Sequence, residues 1–299
     1  MTDFFGCQVT DEVTIIVKSD ICVENDQTFF ADFETTTGDN FWTFNTAASD
    51  GDFVIGVPTQ YFTAGNLMEE NALNGTQSLV TGIDIGRDLD LGPATARSRN
   101  ITLSATATNV EISLAYYFSH VFTANSNDFL NIEIRDASNG TILHDVVNEV
   151  GAGFNRPANW TAITADLSAH VGKTVYIWVE AADPPGGTKL EVGIDDVVIT
   201  ETIEVQAEFT LDPPDFCSDI GPITLSGGTP AGGVYSGPGV TGNIFDPIAA
   251  GPGQHEIVYT ITTITGCIAA TSVDIEVFDL PTVDFICLLY TSPSPRDRG

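Results

Sequence analysis

Basic residues are scarce. The 299-residue chain carries 10 Lys and Arg against 41 Asp and Glu, a formal net charge of -31. That balance argues against nucleic acid or an anionic membrane surface as a partner. It suits a soluble protein of a salty, calcium-containing exterior. No apolar run is long enough to span a bilayer, so no membrane insertion is expected of these residues. No long stretch places apolar residues at helical spacing. Met1 is followed by Thr-Asp-Phe-Phe-Gly-Cys, with neither the basic start nor the apolar segment of a signal peptide. Catalytic signatures are missing as well. There is no zinc-ligand spacing and no phosphate loop. Ser236 lies in GVYSGPG, which is not a G-x-S-x-G elbow. His120, His144, His170 and His255 each stand in a separate strand end or loop, with no partner pattern. No enzyme is expected.

What remains is rich in Thr, Val, Ile, Gly, Asp and Asn, which favours strands and turns. Val110, Ile112, Leu114, Tyr116 and Phe118 make a long period-two strand with one buried face. Phe129–Arg135 and Thr141–Val147 flank Asn139-Gly140, a strong hairpin signal. Val175–Ala181 reads as a central strand. The stretch Leu190–Thr200, LEVGIDDVVIT, reads as the closing strand, with Asp195 and Asp196 inside an apolar run. Carboxylates flanked by core residues need a partner, and in an acidic chain that partner is expected to be a cation. At the other end, Phe29-Phe30-Ala31-Asp32-Phe33-Glu34 also sets acids among core residues. Residues 24–203 are therefore expected to form one sandwich whose first and last strands meet.

An internal repeat frames the rest. Residues 6–17 read GCQVTDEVTIIV and residues 266–277 read GCIAATSVDIEV. Each is a cysteine-bearing strand closing a small β-module, so residues 1–20 are expected to be the last strand of a module whose body lies upstream. Cys217 and Cys267 sit near the start and end of one module and are expected to form its disulfide. Their loop of about 50 residues would stabilise the module by about 4 kcal/mol. Cys7 is the counterpart of Cys267, with Cys22 either its partner or free. Paired cysteines of this kind imply an oxidising exterior.

Two stretches carry family resemblances. Asp32-Phe33-Glu34, Trp42, Asp50-Gly51-Asp52-Phe53, residues 75–82 (GTQSLVTG), Trp160 with Leu167, Lys173-Thr174-Val175-Tyr176 and Ile194-Asp195-Asp196-Val197 resemble a jelly-roll family found as appendages of secreted bacterial peptidases and adhesins. That family is similar to MAM domains and to jelly-roll carbohydrate-binding modules, though the disulfide cysteines of animal MAM domains are absent here. Residues 204–281 resemble the immunoglobulin-like repeats of large surface proteins of Bacteroidetes-type bacteria, through Phe216-Cys217, residues 228–233 (GTPAGG), Tyr235-Ser236-Gly237, Phe245-Asp246-Pro247, Ile257-Val258-Tyr259 and Gly266-Cys267. The run Cys287–Asp297, CLLYTSPSPRD, is similar to a translated sequencing adapter, so residues 287–299 are set aside as an artefact. The expected fold class is all-β, a jelly-roll β-sandwich followed by a smaller Ig-like β-sandwich.

The first resemblance implies a structural ion at the Phe-Glu acid and the Asp-Asp-Val acid. Glu34 and Asp196 are the matching residues here, with Asp52 of the Asp-Gly-Asp turn as a third ligand. Ca²⁺, which takes six to eight oxygens, is the expected ion. The alternative is that these acids cap turns and face water. Asp88-Leu89-Asp90 lacks the glycine and the bidentate acid of a calcium loop. For ligand binding, Tyr117 lies opposite the Tyr116 and Phe118 face, and Tyr176 and Trp178 alternate with Val175, Ile177 and Val179. Such aromatics can stack on the apolar faces of sugar rings; the alternative is a core or inter-domain contact. The expected function is adhesion or ligand binding, with polysaccharide or cell-surface glycan as partner, in a large secreted or cell-surface bacterial protein. The rival readings are an accessory region of a secreted peptidase or glycoside hydrolase, and a structural stalk.

Overall fold

Alternation builds the larger unit. Val110, Ile112, Leu114, Tyr116 and Phe118 all point inward and are at most 6 % exposed. Opposite them lie Leu130, Ile132 and Ile134, and Val175, Ile177 and Val179, all fully buried. Burying each such side chain contributes about 1.5–3 kcal/mol. The computed structural model describes residues 21–280, apart from 36, 49–50, 83–88, 122, 185–188 and 213–214. The strand expected at 1–20 and the tail at 287–299 lie outside the described residues.

In chain order the strands are β1 (Ile21–Ala31), β2 (Thr43–Thr46), β3 (Val54–Gly56), β4 (Tyr61–Thr63), β5 (Asn66–Glu69), β6 (Ser78–Val80), β7 (Gly92–Arg97), β8 (Ile101–Thr102), β9 (Ala107–His120), β10 (Phe129–Asp136), β11 (Ile142–Val150), β12 (Thr161–Asp166), β13 (Thr174–Asp183) and β14 (Leu190–Gln206). One six-stranded sheet runs β12-β9-β14-β6-β3, with β1 paired to β14. The other runs β11-β10-β13-β7-β2, with β8 paired to β13. A single core fills the space between them. This is a β-sandwich, and among the described residues no helix is long and apolar enough to cross a membrane.

The first sheet is buried on its outer face too. The β4–β5 hairpin lies against it: Tyr61 Oη donates to Glu191 at 2.7 Å, the Ser119 hydroxyl donates to the Met68 carbonyl, and Ala158 N–H donates to the Leu67 carbonyl at 2.7 Å. Tyr117 is trapped beneath, 1 % exposed, edge-on to Trp160 with ring centroids 4.9 Å apart. Its cross-strand partner is Gly193, where a Cβ would stand 2.1 Å from the tyrosine ring. Only glycine leaves room for that ring.

The smaller unit comprises 205–280 with Cys22, and Val23–Glu204 form the larger one. Its strands continue as β15 (Asp215–Cys217), β16 (Ile223–Thr224), β17 (Val234–Ser236), β18 (Val240–Thr241), β19 (Ile244–Phe245), β20 (Gly253–Thr262) and β21 (Ile268–Phe278). They form a four-stranded sheet, β15-β21-β20-β17, and a three-stranded one, β16-β19-β18. Phe209, Phe216, Phe245, Ile257, Tyr259 and Val273 fill the space between. The one α-helix among the described residues is short, α1 (Pro247–Ala250), capped by the Asp246 side chain on Ile248 N–H and Ala249 N–H. The expected Cys217–Cys267 disulfide is not formed. Cys267 is bonded to Cys22, with Cα atoms 5.9 Å apart, and Cys217 is itself in a disulfide. Spacing along the chain misled here, because β1 enters the smaller core at Cys22, 3 % exposed, before joining the larger sandwich.

Candidate functional site

Two features of the larger sandwich collect polar chemistry. The first is the loop Leu73–Gln77, held from two sides by carboxylates. Glu34, just beyond β1, accepts the N–H groups of Thr76 at 2.7 Å and Gln77 at 2.8 Å, and the Thr76 hydroxyl at 2.9 Å. These hydrogen bonds hold its carboxyl below the usual range. The loop closes tightly there because Gly75, at φ +66, has no side chain: a Cβ would stand 2.2 Å from Glu34 Oε1. On the other side Asp195 Oδ2 accepts Leu73 N–H at 2.9 Å and Asn74 N–H at 3.4 Å, and the Asn74 amide donates to Asp196.

A bulge explains both acids. The β9–β14 register passes from Asp195 opposite Ala115 to Val198 opposite Ser113, so Asp196 and Val197 together face one residue. Asp196 takes φ +50, a left-handed conformation that Asp tolerates better than bulkier residues. The extra residue resets the alternation, so Ile194 and Val197 are both core. It also turns both acids toward the same loop, whereas simple alternation would send them to opposite faces. Asp195 is fully buried, and desolvation pushes its carboxyl up to about 7.

The expected trio Glu34, Asp52 and Asp196 does not converge. No three of their oxygens lie within 4.8 Å of one another. Glu34 and Asp196 share the Leu73–Gln77 loop; Asp52 lies beside Phe44, Asn45, Thr46 and Phe53 around a cavity of about 260 Å³. The turn that carries Asp52 leads into β3 and Phe53, and these direct it away.

The second feature is the outer face of β13. Tyr176, Trp178 and Glu180 alternate with the core residues Val175, Ile177 and Val179. In the neighbouring strands Arg135 and Glu133 pair with Tyr176 and Trp178, and Arg97 pairs with Trp178. Arg97 covers the Tyr176 ring at 4.0 Å and Arg135 covers the Trp178 ring at 4.6 Å. Arg135 Nε bonds Glu133 at 2.6 Å, and Trp178 Nε1 donates to Glu180 at 3.2 Å. Glu180 then lines an open cleft of about 350 Å³ with Leu91, Gly92, Pro93, Phe129, Ala182 and Pro184. The two glutamates balance the two arginines.

Of the three aromatics expected to stack on a ligand, Trp178 keeps partial exposure on this face. Tyr176 is 8 % exposed beneath Arg97, and Tyr117 belongs to the packing under the hairpin. Sequence reasoning missed the arginines, Phe129 and the cleft. Period two along Phe129–Arg135 carried the signal, since Phe129, Asn131, Glu133 and Arg135 alternate with the core positions Leu130, Ile132 and Ile134. The histidines are not all isolated either: His144 and His170 lie with ring centroids 6.4 Å apart.

No protein-family model matches the chain, and no curated protein matches it. Among solved structures it is similar to the K3 cleaved adhesin domain of Lys-gingipain from Porphyromonas gingivalis, at 16 % identity over 58 % of this chain and 99 % of that one, with a TM-score of 0.37. It is also similar to the C-terminal family 22 carbohydrate-binding module of Clostridium thermocellum Xyn10B, at 15 % identity over 58 % and 94 %, TM-score 0.32. A third is the CBM22-1 xylan-binding domain of Paenibacillus barcinonensis Xyn10C, at 21 % identity over 59 % and 95 %, TM-score 0.31.

Proposed function

We propose that the larger sandwich is a non-catalytic carbohydrate-binding module of an extracellular protein, and that it takes an uncharged polysaccharide on the outer face of β13. The observation that carries this reading is the cleft lined by Phe129, Pro93, Leu91 and Glu180 and its continuity, through the Glu180–Trp178 hydrogen bond, with the aromatic and arginine row. An apolar wall with a few placed hydrogen-bonding groups is what a sugar ring requires. The face is also locally neutral on a strongly acidic molecule: Arg97 and Arg135 offset Glu133 and Glu180. That favours hydroxyl-rich, uncharged ligands. From Tyr176 to Ala182 the strand spans about 20 Å, room for several consecutive sugar units.

The test is a binding screen of the intact protein on xylan, cellulose and mannan. Trp178→Ala or Phe129→Ala should each weaken binding about tenfold, the loss of one stacked aromatic. Retention of the wild-type protein by none of these polymers, or unchanged affinity in both variants, would overturn the reading in favour of a structural stalk.

Calcium at the Leu73–Gln77 loop is part of the same proposal. Its support is the charge gathered at one loop: Glu34 from one side and Asp195 and Asp196 from the other bring carboxylates to the Leu73–Gln77 backbone, and an ion would have to draw their oxygens together, since no three of them lie within 4.8 Å of one another. A bound ion would offset the negative charge gathered there and lock the loop to β1 and β14. EDTA should then lower the melting temperature of the larger sandwich, and Glu34→Gln should abolish that response. An EDTA-insensitive melt in the wild-type protein would leave the acids as loop pins alone.

A further inference from the structure

We propose that Asn74-Gly75 is a self-modifying site, where Asn74 converts to aspartate or isoaspartate with water as the only co-reactant. The chain carries the triplet Asn-Gly-Thr at 74–76 and again at 139–141. Both asparagines are exposed. In both, the following glycine leaves room for its peptide nitrogen to reach the side-chain amide. The local sequence thus gives the two sites equal chemistry, and the fold separates them. At the second, Gly140 N–H donates to the Asp136 carbonyl at 2.8 Å, and the Asn139 side-chain oxygen accepts Thr141 N–H at 2.9 Å. Nucleophile and amide are both tied into the hairpin turn. At the first, Gly75 N–H is exposed and has no partner among the described residues. Its neighbours Leu73, Asn74, Thr76 and Gln77 all donate theirs to carboxylates. The Asn74 amide nitrogen, the group that departs, donates to Asp196.

The Gly75 nitrogen gives its proton to hydroxide and bonds to Asn74 Cγ. The Cγ–Nδ2 bond breaks, and ammonia leaves with a proton from water, which regenerates the hydroxide. Water then opens the cyclic imide at either carbonyl, to aspartate or isoaspartate. The reacting bond lies between two grips. Asp195 holds the backbone at Leu73 and Asn74, and Glu34 holds it at Thr76 and Gln77. Isoaspartate adds a methylene to the main chain between those grips. Either product also sets a new carboxylate against Asp196, where like charges repel. The loop then loses one grip, and conversion releases the link it makes between β14 and the residues just beyond β1.

The experiment incubates the intact protein in mildly alkaline buffer without added metal. Both asparagines are followed by peptide mapping, with isoaspartate detected by enzymatic carboxyl methylation. Asn74 is expected to convert about tenfold faster than Asn139, the factor that one retained hydrogen bond on the nucleophile imposes. In urea the two rates should converge, because the triplets are identical. The larger sandwich of the aged protein should melt at a lower temperature than that of the fresh one. Asn74→Gln, whose longer side chain closes the ring slowly, should neither convert nor lose melting temperature on storage. Equal rates in the folded protein, a faster Asn139, or a difference that persists in urea would overturn the site. An unchanged melt after full conversion of Asn74 would overturn the release of the loop.

Discussion

Replacing Cys22 with serine is expected to lower the melting transition of the smaller sandwich and leave that of the larger one in place. The Cys22–Cys267 bond joins residues 245 apart in sequence, so in the chain-entropy picture it stabilises by up to about 5 kcal/mol. The effective loop is shorter while the larger sandwich stays folded within it, which sets the expected loss at about 3–5 kcal/mol. A domain of this size has only about 4–11 kcal/mol in total. The shift should be on the order of 15 °C or more. Calorimetry that resolves two transitions is the measurement. Cys22→Ala with Cys267→Ala should behave as the serine variant does, which separates loss of the bond from the cost of a buried hydroxyl. Two unmoved transitions would show that β1 is held in the smaller core by packing alone.

The larger sandwich should lose stability as pH rises from about 4 to about 7, and Glu69, together with Asp195, is the reason. Glu69 lies on β5 of the hairpin, 2 % exposed, with Oε1 lacking a hydrogen-bond partner. Desolvation pushes its carboxyl up to about 7. A carboxyl raised above its unfolded value of about 4.3 holds its proton more tightly in the folded state. Its stabilising contribution is complete below about pH 4.3 and is lost as pH climbs through 7, up to about 4 kcal/mol. Glu149 acts in the opposite sense: Arg156, at 2.7 and 2.9 Å, holds it low, so that contribution is lost as pH falls. Glu69→Gln should reduce the decline between pH 5 and 8, leaving the share that Asp195 carries, and raise the melting temperature at the alkaline end. An equal slope in wild type and variant would mean that the group is ionised and solvated in place.

Some of this was legible in the chain. Period two along Val110–Phe118 and Val175–Ala181 marks strands whose inward residues are the core, and Asn139-Gly140 marks the hairpin, with Gly140 at φ +75. Scarce lysine and arginine and the absence of helical periodicity point to an all-β, acidic chain, and the fold is all-β. Glu34 and Asp196 stand out as acids among apolar neighbours, and both do engage one loop. Period two fails at Tyr117, since it says that a side chain faces away from the core and nothing about what covers it there.

Local pattern thus determined which residues form strands and which side of each strand is apolar, because that choice depends on neighbours two positions away. Tertiary structure decided what lies on the far side. The hairpin that buries Tyr117 and Glu69, the bulge that turns Asp195 and Asp196 to one loop, the arginines set across strands onto Tyr176 and Trp178, and the pairing of Cys22 with Cys267 all depend on register and on contacts between residues far apart in sequence. Spacing along the chain cannot supply these. Strand order and register set them, and both are fixed by how the sheets bury their faces together.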